Sequence, residues 1–199
     1  MLFRSAGALQ ISLGTSPSFT ELYVKGKVDK WSEELSLLSS IAQTNPQAAY
    51  AGFTHGLMSK WAYLSRKIEN IGPLLQPLED IIRTKFIPAL CGGPAPNDTL
   101  RELLSLPCRL GGLGLVNPTS RADFEYSASK GVTAPIVQSV LSHEGTYTYE
   151  TLADQLSATA NIKERKRSNL RSTANQLKSS LPPHLQRSMD LSQEKSASN

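Results

Sequence analysis

Hydrophobic residues recur every three or four positions between Thr20 and Ile68, a spacing that predicts two amphipathic helices. Asn45 and Pro46 separate the two, because asparagine suits the cap of a helix and proline suits its first turn. The first stripe comprises Val24, Val28, Trp31, Leu35, Leu38 and Ala42, and the second comprises Tyr50, Phe53, Leu57, Trp61, Leu64 and Ile68. We expect the aromatic members of both stripes to pack in a core rather than to stack on nucleic-acid bases.

A third helix is predicted from Leu78 to about Pro88, after a short break at residues 71–77. The three helices together predict a bundle over residues 20–90. Alternation with a period of two is nearly confined to residues 8–13, where we expect a minor short strand. The predicted fold is therefore mainly α, a helical bundle with that strand near the N-terminus.

Three glycines stand in four positions of the stretch "LPCRLGGLGLVNP", namely Gly111, Gly112 and Gly114. A dinucleotide-binding loop needs a third glycine in the pattern GxGxxG, and Asn117 occupies that position. We favour the other interpretation, a structural turn in which glycine lets two backbones approach closely. Residues 91–145 as a whole are predicted to be a glycine-rich linker with short helices.

Residues 146–199 predict a long basic helix followed by a polar tail. The helix is expected to run from about Thr151 to Ser179 and to end before Pro182 and Pro183, with the residues beyond them expected to fray. Its thin apolar stripe comprises Leu152, Leu156, Leu170 and Leu177. Such a stripe is too poor to be buried alone, so a protein partner that covers it is one interpretation.

The net charge of +4 over 199 residues is unevenly placed along the chain. Residues 161–187 hold seven basic side chains and one acidic side chain. The seven are Lys163, Arg165, Lys166, Arg167, Arg171, Lys178 and Arg187. Concentrated positive charge indicates a polyanionic partner such as nucleic acid, and its alternative is a merely solvated helix face.

Residues that carry enzymatic chemistry are scattered. His55, His143 and His184 lie far apart in sequence and fit no metal-binding motif. Glu79 and Asp80 are adjacent, so on a helix their side chains point about 100° apart. Neither a GxSxG nucleophile elbow nor an Asp-Asp pair is present in the sequence. We therefore expect no catalytic residue, metal ion or cofactor in this chain.

The two cysteines, Cys91 and Cys108, lack the spacing of a metal site and are too few for a disulfide scaffold. No run of 18 or more apolar residues occurs, so no membrane partner is expected. These features favour an intracellular protein, in the nucleus or the cytoplasm.

Four stretches in one order resemble the reverse transcriptase of LINE-like (non-LTR) retroelements, in the part that follows the polymerase palm. They are "ISLGTSPSFTELYVKGKVDKW", "NPQAAYAGFTHGLMSKWAYL", "PLEDIIRTKFIPAL" and "LPCRLGGLGLVNP". The resemblance extends from about Ala8 to the C-terminus. It implies that residues 1–19 are the end of the palm, that Leu13 and Gly14 belong to its primer-grip turn, and that residues 20–90 form the thumb.

A thumb holds the template-primer duplex mainly through phosphate contacts, which position it without reading bases. The resemblance therefore implies a set of candidate nucleic-acid contacts on the helices. In the bundle these are Lys25, Lys27, Lys60, Arg66 and Lys67, and on the basic helix Lys163, Arg165, Lys166, Arg167 and Arg171. Each candidate is equally interpretable as plain solubilising charge.

The family's palm aspartates, which hold two divalent metal ions, precede the part that this sequence resembles. The chain is therefore expected to be a catalytically incomplete fragment whose partner is an RNA or DNA template-primer, bound without sequence specificity. Two alternatives stay open: an α-helical protein-interaction module, and a remnant of a retroelement without function.

Overall fold

The computed structural model describes residues 17–142 and 149–197, and these residues form helices, turns and loops without a strand. The mainly α fold is confirmed. The strand expected at residues 8–13 lies outside the described residues. Contacts divide the described chain into two compact units, the first made of residues 17–95 and 118–123 and the second of residues 96–117 and 124 onward.

The first unit is built from three helical stretches. Helix α1 spans Pro17–Thr44. The second stretch runs without a break through α2 (Pro46–Ala51), a π-helical turn (Gly52–Leu57) and α3 (Met58–Ser65). The third runs through a 3-10 turn (Gly72–Leu75), α4 (Gln76–Ile81), a second π-helical turn (Ile82–Phe86) and α5 (Ile87–Cys91). Asn45 caps α2, since its side-chain oxygen accepts the amide of Ala48 at 3.2 Å.

Both predicted stripes form the core of this unit. Within the first stripe only Leu38 is half-buried, and within the second only Tyr50 and Ile68 are. The aromatic side chains lie in mutual contact, with ring centroids 6.3 Å apart for Trp31 and Trp61 and 5.8 Å apart for Phe53 and Trp61. The expectation that these rings pack in a core is confirmed.

The π-helical turns explain how residues exactly four apart stay on one face. Four residues advance about 40° beyond a full turn of α-helix, so a run of such steps drifts off the buried face. Phe53 lies in one π-helical turn and Phe86 in the other, and the amides of Met58 and Ile87 each donate to a carbonyl five residues back. The wider turns remove the drift and bring the two phenylalanine rings into a stack, with centroids 4.7 Å apart.

Helix α5 continues past Pro88, where the sequence analysis ended the third helix. Proline lacks an amide hydrogen and clashes with the preceding turn of a regular α-helix. The π-helical turn directly before it relieves this conflict, and the chain stays helical to Cys91. Gly92 then ends the helix with a φ of 67°, and the amides of Gly92 and Gly93 both donate to the Pro88 carbonyl.

The second unit contains α6 (Asp98–Ser105), a 3-10 turn (Cys108–Leu110), most of α7 (Pro118–Leu141), α8 (Tyr149–Ser180) and α9 (Pro183–Ala197). The start of α7 belongs to the first unit. The core of the second unit consists of Leu103, Leu106, Leu110, Ala174, Leu177, Leu181 and Met189. Thus the C-terminal part of the long basic helix is buried against α6 and α9.

Two expectations for this part of the chain are wrong. Residues 118–141, in the part expected to hold only short helices, form the single helix α7, which continues through Pro135. The polar tail after Pro183 is helical rather than frayed, because Met189 is 1% exposed in the core and Lys178 of α8 forms an ion pair with Asp190 of α9. A single buried methionine with a half-buried Leu185 anchors a helix that is otherwise polar.

Helices α7 and α8 run antiparallel, since Glu125 contacts Lys166 whereas Gly131, further along α7, approaches Ile162, which is earlier in α8. A Cβ atom at Gly131 would lie 3.1 Å from Cδ1 of Ile162. The absence of a side chain at Gly131 therefore leaves room for the side chain of Ile162.

Candidate nucleic-acid interface

The candidate cations of the first unit already have partners within the chain. Lys25 pairs with Glu21 of its own helix at 2.7 Å, and Lys60 of α3 pairs with Glu34 of α1. Two further lysines lie over tyrosine rings, and Arg66 is exposed and also engaged. Those lysines are Lys27, 5.3 Å from the centroid of Tyr23, and Lys67, 4.4 Å from that of Tyr63.

Exposed ion pairs contribute at most about 1 kcal/mol. The partners within the chain would therefore weaken phosphate binding by these cations without preventing it. Leu13 and Gly14, the candidates for a primer-grip turn, lie outside the described residues.

The candidate cations of the second unit are concentrated on one exposed part of α8. Every residue from 163 to 169 is exposed, and four of these seven are basic. We call residues 163–171 the basic segment. Lys166 lies 3.9 Å from Glu125, and Arg167 lies 3.6 Å from Glu164. The remaining three, Lys163, Arg165 and Arg171, make no ion pair with any described residue.

A groove of about 500 Å³ opens beside the basic segment, between α8, α9 and the 3-10 turn at Cys108–Leu110. Its residues on α8 are spaced by three or four positions and therefore share one helix face. They are Glu164, Arg167, Arg171 and Asn175. Across from them lie Gln193 and Ser196 of α9, with Arg109 and Leu110 of the 3-10 turn. We call this the arginine groove.

Arg109 is the member of the arginine groove that the sequence analysis missed. It lies more than 50 residues from the basic segment in sequence, and the turn that follows it brings it close in space. Its only sequence signal was its place next to the glycines of "RLGGLGL".

The glycines after Arg109 fold the chain back onto the end of α6. Gly111 has a φ of 89°, and a Cβ atom on it would lie 2.7 Å from Cγ of Met189 in α9. A Cβ atom on Gly112 would lie 2.1 Å from the carbonyl oxygen of Leu106. Gly114 has a φ of 67° and open space around it. We call residues 111–114 the glycine turn.

Buried Arg101 of α6 supports the same fold, since its guanidinium donates to the carbonyl of Leu115 at 2.7 Å. The glycine turn is thereby held against both α6 and α9, and it fixes the 3-10 turn that carries Arg109.

The backbone amides of the glycine turn are not available to cradle a phosphate. The amide of Gly114 donates to the Leu106 carbonyl at 2.8 Å, and those of Leu113 and Leu115 both donate to Leu104. The amides of Gly111 and Gly112 donate to the carbonyls of residues 108 and 107. A dinucleotide loop needs such amides to face the ligand at the start of a helix. The geometry therefore does not support the nucleotide-loop interpretation.

Other chemistry is sparse among the described residues. Their His, Cys, Asp and Glu side chains form no cluster of three that could hold a metal ion. Both cysteines are exposed and neither forms a disulfide. Desolvation by partial burial raises the pKa of the Cys91 thiol, which lowers its thiolate fraction at neutral pH. Over residues 17–142 and 149–197, each helix is either too short or too polar to cross a bilayer.

Comparisons with protein-family models, with curated proteins and with solved structures found no match for this chain.

Proposed function

We propose that this chain is a catalytically incomplete part of a reverse transcriptase like those of LINE-like retroelements, and that it binds template-primer nucleic acid without sequence specificity. The single observation that supports binding most strongly is the basic segment of α8, whose cations face solvent. The retroelement origin rests on the order of the four sequence stretches quoted above.

Exposed cations on a rigid helix suit a regular polyanion. Each lysine or arginine that neutralises a phosphate releases condensed counterions, so affinity does not depend on base sequence and falls steeply with salt. A helix also keeps the backbone positions of its cations at fixed spacing, so little backbone order has to be gained on binding. The basic segment is favoured because three of its five cations, Lys163, Arg165 and Arg171, form no ion pair within the described residues, whereas each bundle cation would first have to leave a partner.

Replacing Lys163, Arg165 and Lys166 together by glutamine is expected to weaken binding of an RNA–DNA duplex by about 10- to 100-fold at low salt. The slope of log K against log salt should become shallower by about 2 to 3. Fluorescence anisotropy of a labelled duplex between about 50 and 200 mM salt measures both quantities.

The matched control removes three charges from the first unit, in Lys25→Gln, Lys27→Gln and Lys67→Gln. This variant should bind the duplex nearly as well as the parent chain. Equal losses in the two triple variants would contradict a role for the basic segment in particular. A parent chain that does not bind duplex at low salt would contradict the proposed function itself.

A second candidate function, an α-helical interaction module, is favoured by one set of exposed apolar side chains. These are Val137, Val140 and Leu141 of α7 with Leu152 and Leu156 of α8, and we call the five side chains the exposed patch. Val140 and Leu156 are 69% and 61% exposed. The predicted leucine stripe is thus divided, because Leu170 and Leu177 pack inside the second unit.

This alternative predicts that the chain self-associates through the exposed patch and that Leu152→Glu with Leu156→Glu keeps it monomeric. Sedimentation velocity over a range of concentrations measures the effect. The control is Leu37→Glu with Ile41→Glu, a pair with the same spacing on α1 whose side chains are also exposed. A parent chain that stays monomeric at every concentration would contradict self-association, and a remnant without function would show neither association nor duplex binding.

A further inference from the structure

The lining of the arginine groove carries an excess of positive charge. Three guanidinium groups, those of Arg109, Arg167 and Arg171, line it with a single carboxylate, that of Glu164. Glu164 lies 3.6 Å from Arg167. Arg109 and Arg171 form no ion pair with any residue in the described part of the chain.

The C-terminal turn of α9 contributes the opposite sign. Helix ends carry roughly half an elementary charge, negative at the C-terminus, and Ser196 belongs to that turn. This partial charge reduces the excess of two positive charges in the groove and does not reverse it. The net field inside the groove therefore favours an anion.

The side chains that line the groove carry the donor groups that recognise phosphate. Guanidinium groups are planar, stay charged, and offer paired N–H donors that match two oxygens of a phosphate. Asn175, Gln193 and Ser196 add neutral donors to the lining, and buried Leu110 adds an apolar side chain. A volume of about 500 Å³ lies within the range of small-ligand sites and has room for two linked phosphates.

We propose that the arginine groove binds a phosphate group, with Arg109 of the 3-10 turn and Arg171 of α8 as its two principal donors. The phosphate has two possible sources, a free polyphosphate and the backbone of a nucleic acid. The second source rests on the proposed function, whereas the phosphate site itself does not.

The test uses the full chain and two probes, inorganic pyrophosphate in isothermal titration calorimetry and a labelled RNA–DNA duplex in anisotropy. Arg109→Gln with Arg171→Gln should weaken pyrophosphate binding by about tenfold or more. The control, Lys163→Gln with Arg165→Gln, removes the same charge from α8 outside the groove and should change it by less than about twofold. Arg109→Lys with Arg171→Lys keeps the charge without the paired donors and should lie between the parent chain and the glutamine variant.

Each combination of results decides between the two proposals. If pyrophosphate binding is lost only in the groove variants and the parent chain does not bind duplex, the groove is a site for a free polyphosphate. The same result contradicts the proposed function. If pyrophosphate displaces bound duplex, the result supports a groove that binds the phosphate backbone of a nucleic acid. A parent chain that does not bind pyrophosphate, or equal losses in the glutamine variant and the control, would overturn the groove proposal while leaving duplex binding to the basic segment intact.

Discussion

Phe86→Ala is expected to lower the free energy of unfolding by about 3–5 kcal/mol, the usual cost of deleting a buried aromatic ring. Phe86 is fully buried and stacks on Phe53 at the point where the two π-helical turns meet. The deletion removes apolar contacts and leaves a cavity that two helical stretches share.

Urea unfolding followed by circular dichroism at the helical band measures this loss. The control is Phe19→Ala, the same deletion on α1 at a side chain that is 46% exposed, which should cost less than about 1 kcal/mol. Similar losses of unfolding free energy in the two variants would contradict the claim that the buried Phe53–Phe86 stack stabilises the first unit.

Gly112→Ala is expected to lower the free energy of unfolding by about 3 kcal/mol, at the upper end of the cost of overpacking. The new Cβ atom would overlap two carbonyl oxygens, those of Leu106 at 2.1 Å and Leu103 at 2.5 Å. Both belong to the backbone at the end of α6, so no side-chain rotation can relieve the overlap. The glycine turn has to move, and with it the 3-10 turn that carries Arg109.

Two further glycine-to-alanine variants are controls that distinguish the effect of atomic overlap from that of backbone strain. Gly114→Ala meets no atom within 4 Å but has a φ of 67°, so it should cost only about 1–2 kcal/mol. Gly26→Ala, an exposed position inside α1 with open space, should stabilise the chain by about 0.5–1 kcal/mol. Thermal unfolding of the three variants gives the order. A Gly112→Ala variant as stable as Gly114→Ala would contradict the close approach of the two backbones.

If the arginine groove binds phosphate, Gly112→Ala should also weaken pyrophosphate binding, although it removes no charge. Gly114→Ala should weaken it less. This comparison separates the placement of Arg109 from its charge.

The spacing of apolar residues alone determined most of the first unit. Steps of three and four residues identified α1 and the stretch from Pro46 to Ser65, and Asn45 and Pro46 marked the boundary between them. These are local signals: a side chain's helix face depends on its position in sequence alone, and a cap needs only its own turn. The same signals predicted that the aromatic rings belong to the core.

The tertiary structure decided the features that depend on residues far apart in sequence. The π-helical turns bring Phe53 and Phe86 into a stack, and these residues lie too far apart in sequence for one local window to contain both. Helix α9 looked like a fraying tail, since the core that holds Met189 is supplied by α6 and α8. The leucine stripe of α8 was one feature in sequence and became two in space, with one half buried and one half exposed.

The same distinction applies to the candidate site. Sequence alone located the basic segment, because a run of like charges on a polar helix is visible in any window that contains it. The sequence could not predict that Arg171 and Arg109 line the same groove. Their proximity depends on a turn in which Gly112 has no room for a side chain. Helix faces and charge runs were thus set by neighbours along the chain, whereas the groove was set by long-range packing, which a local pattern does not record.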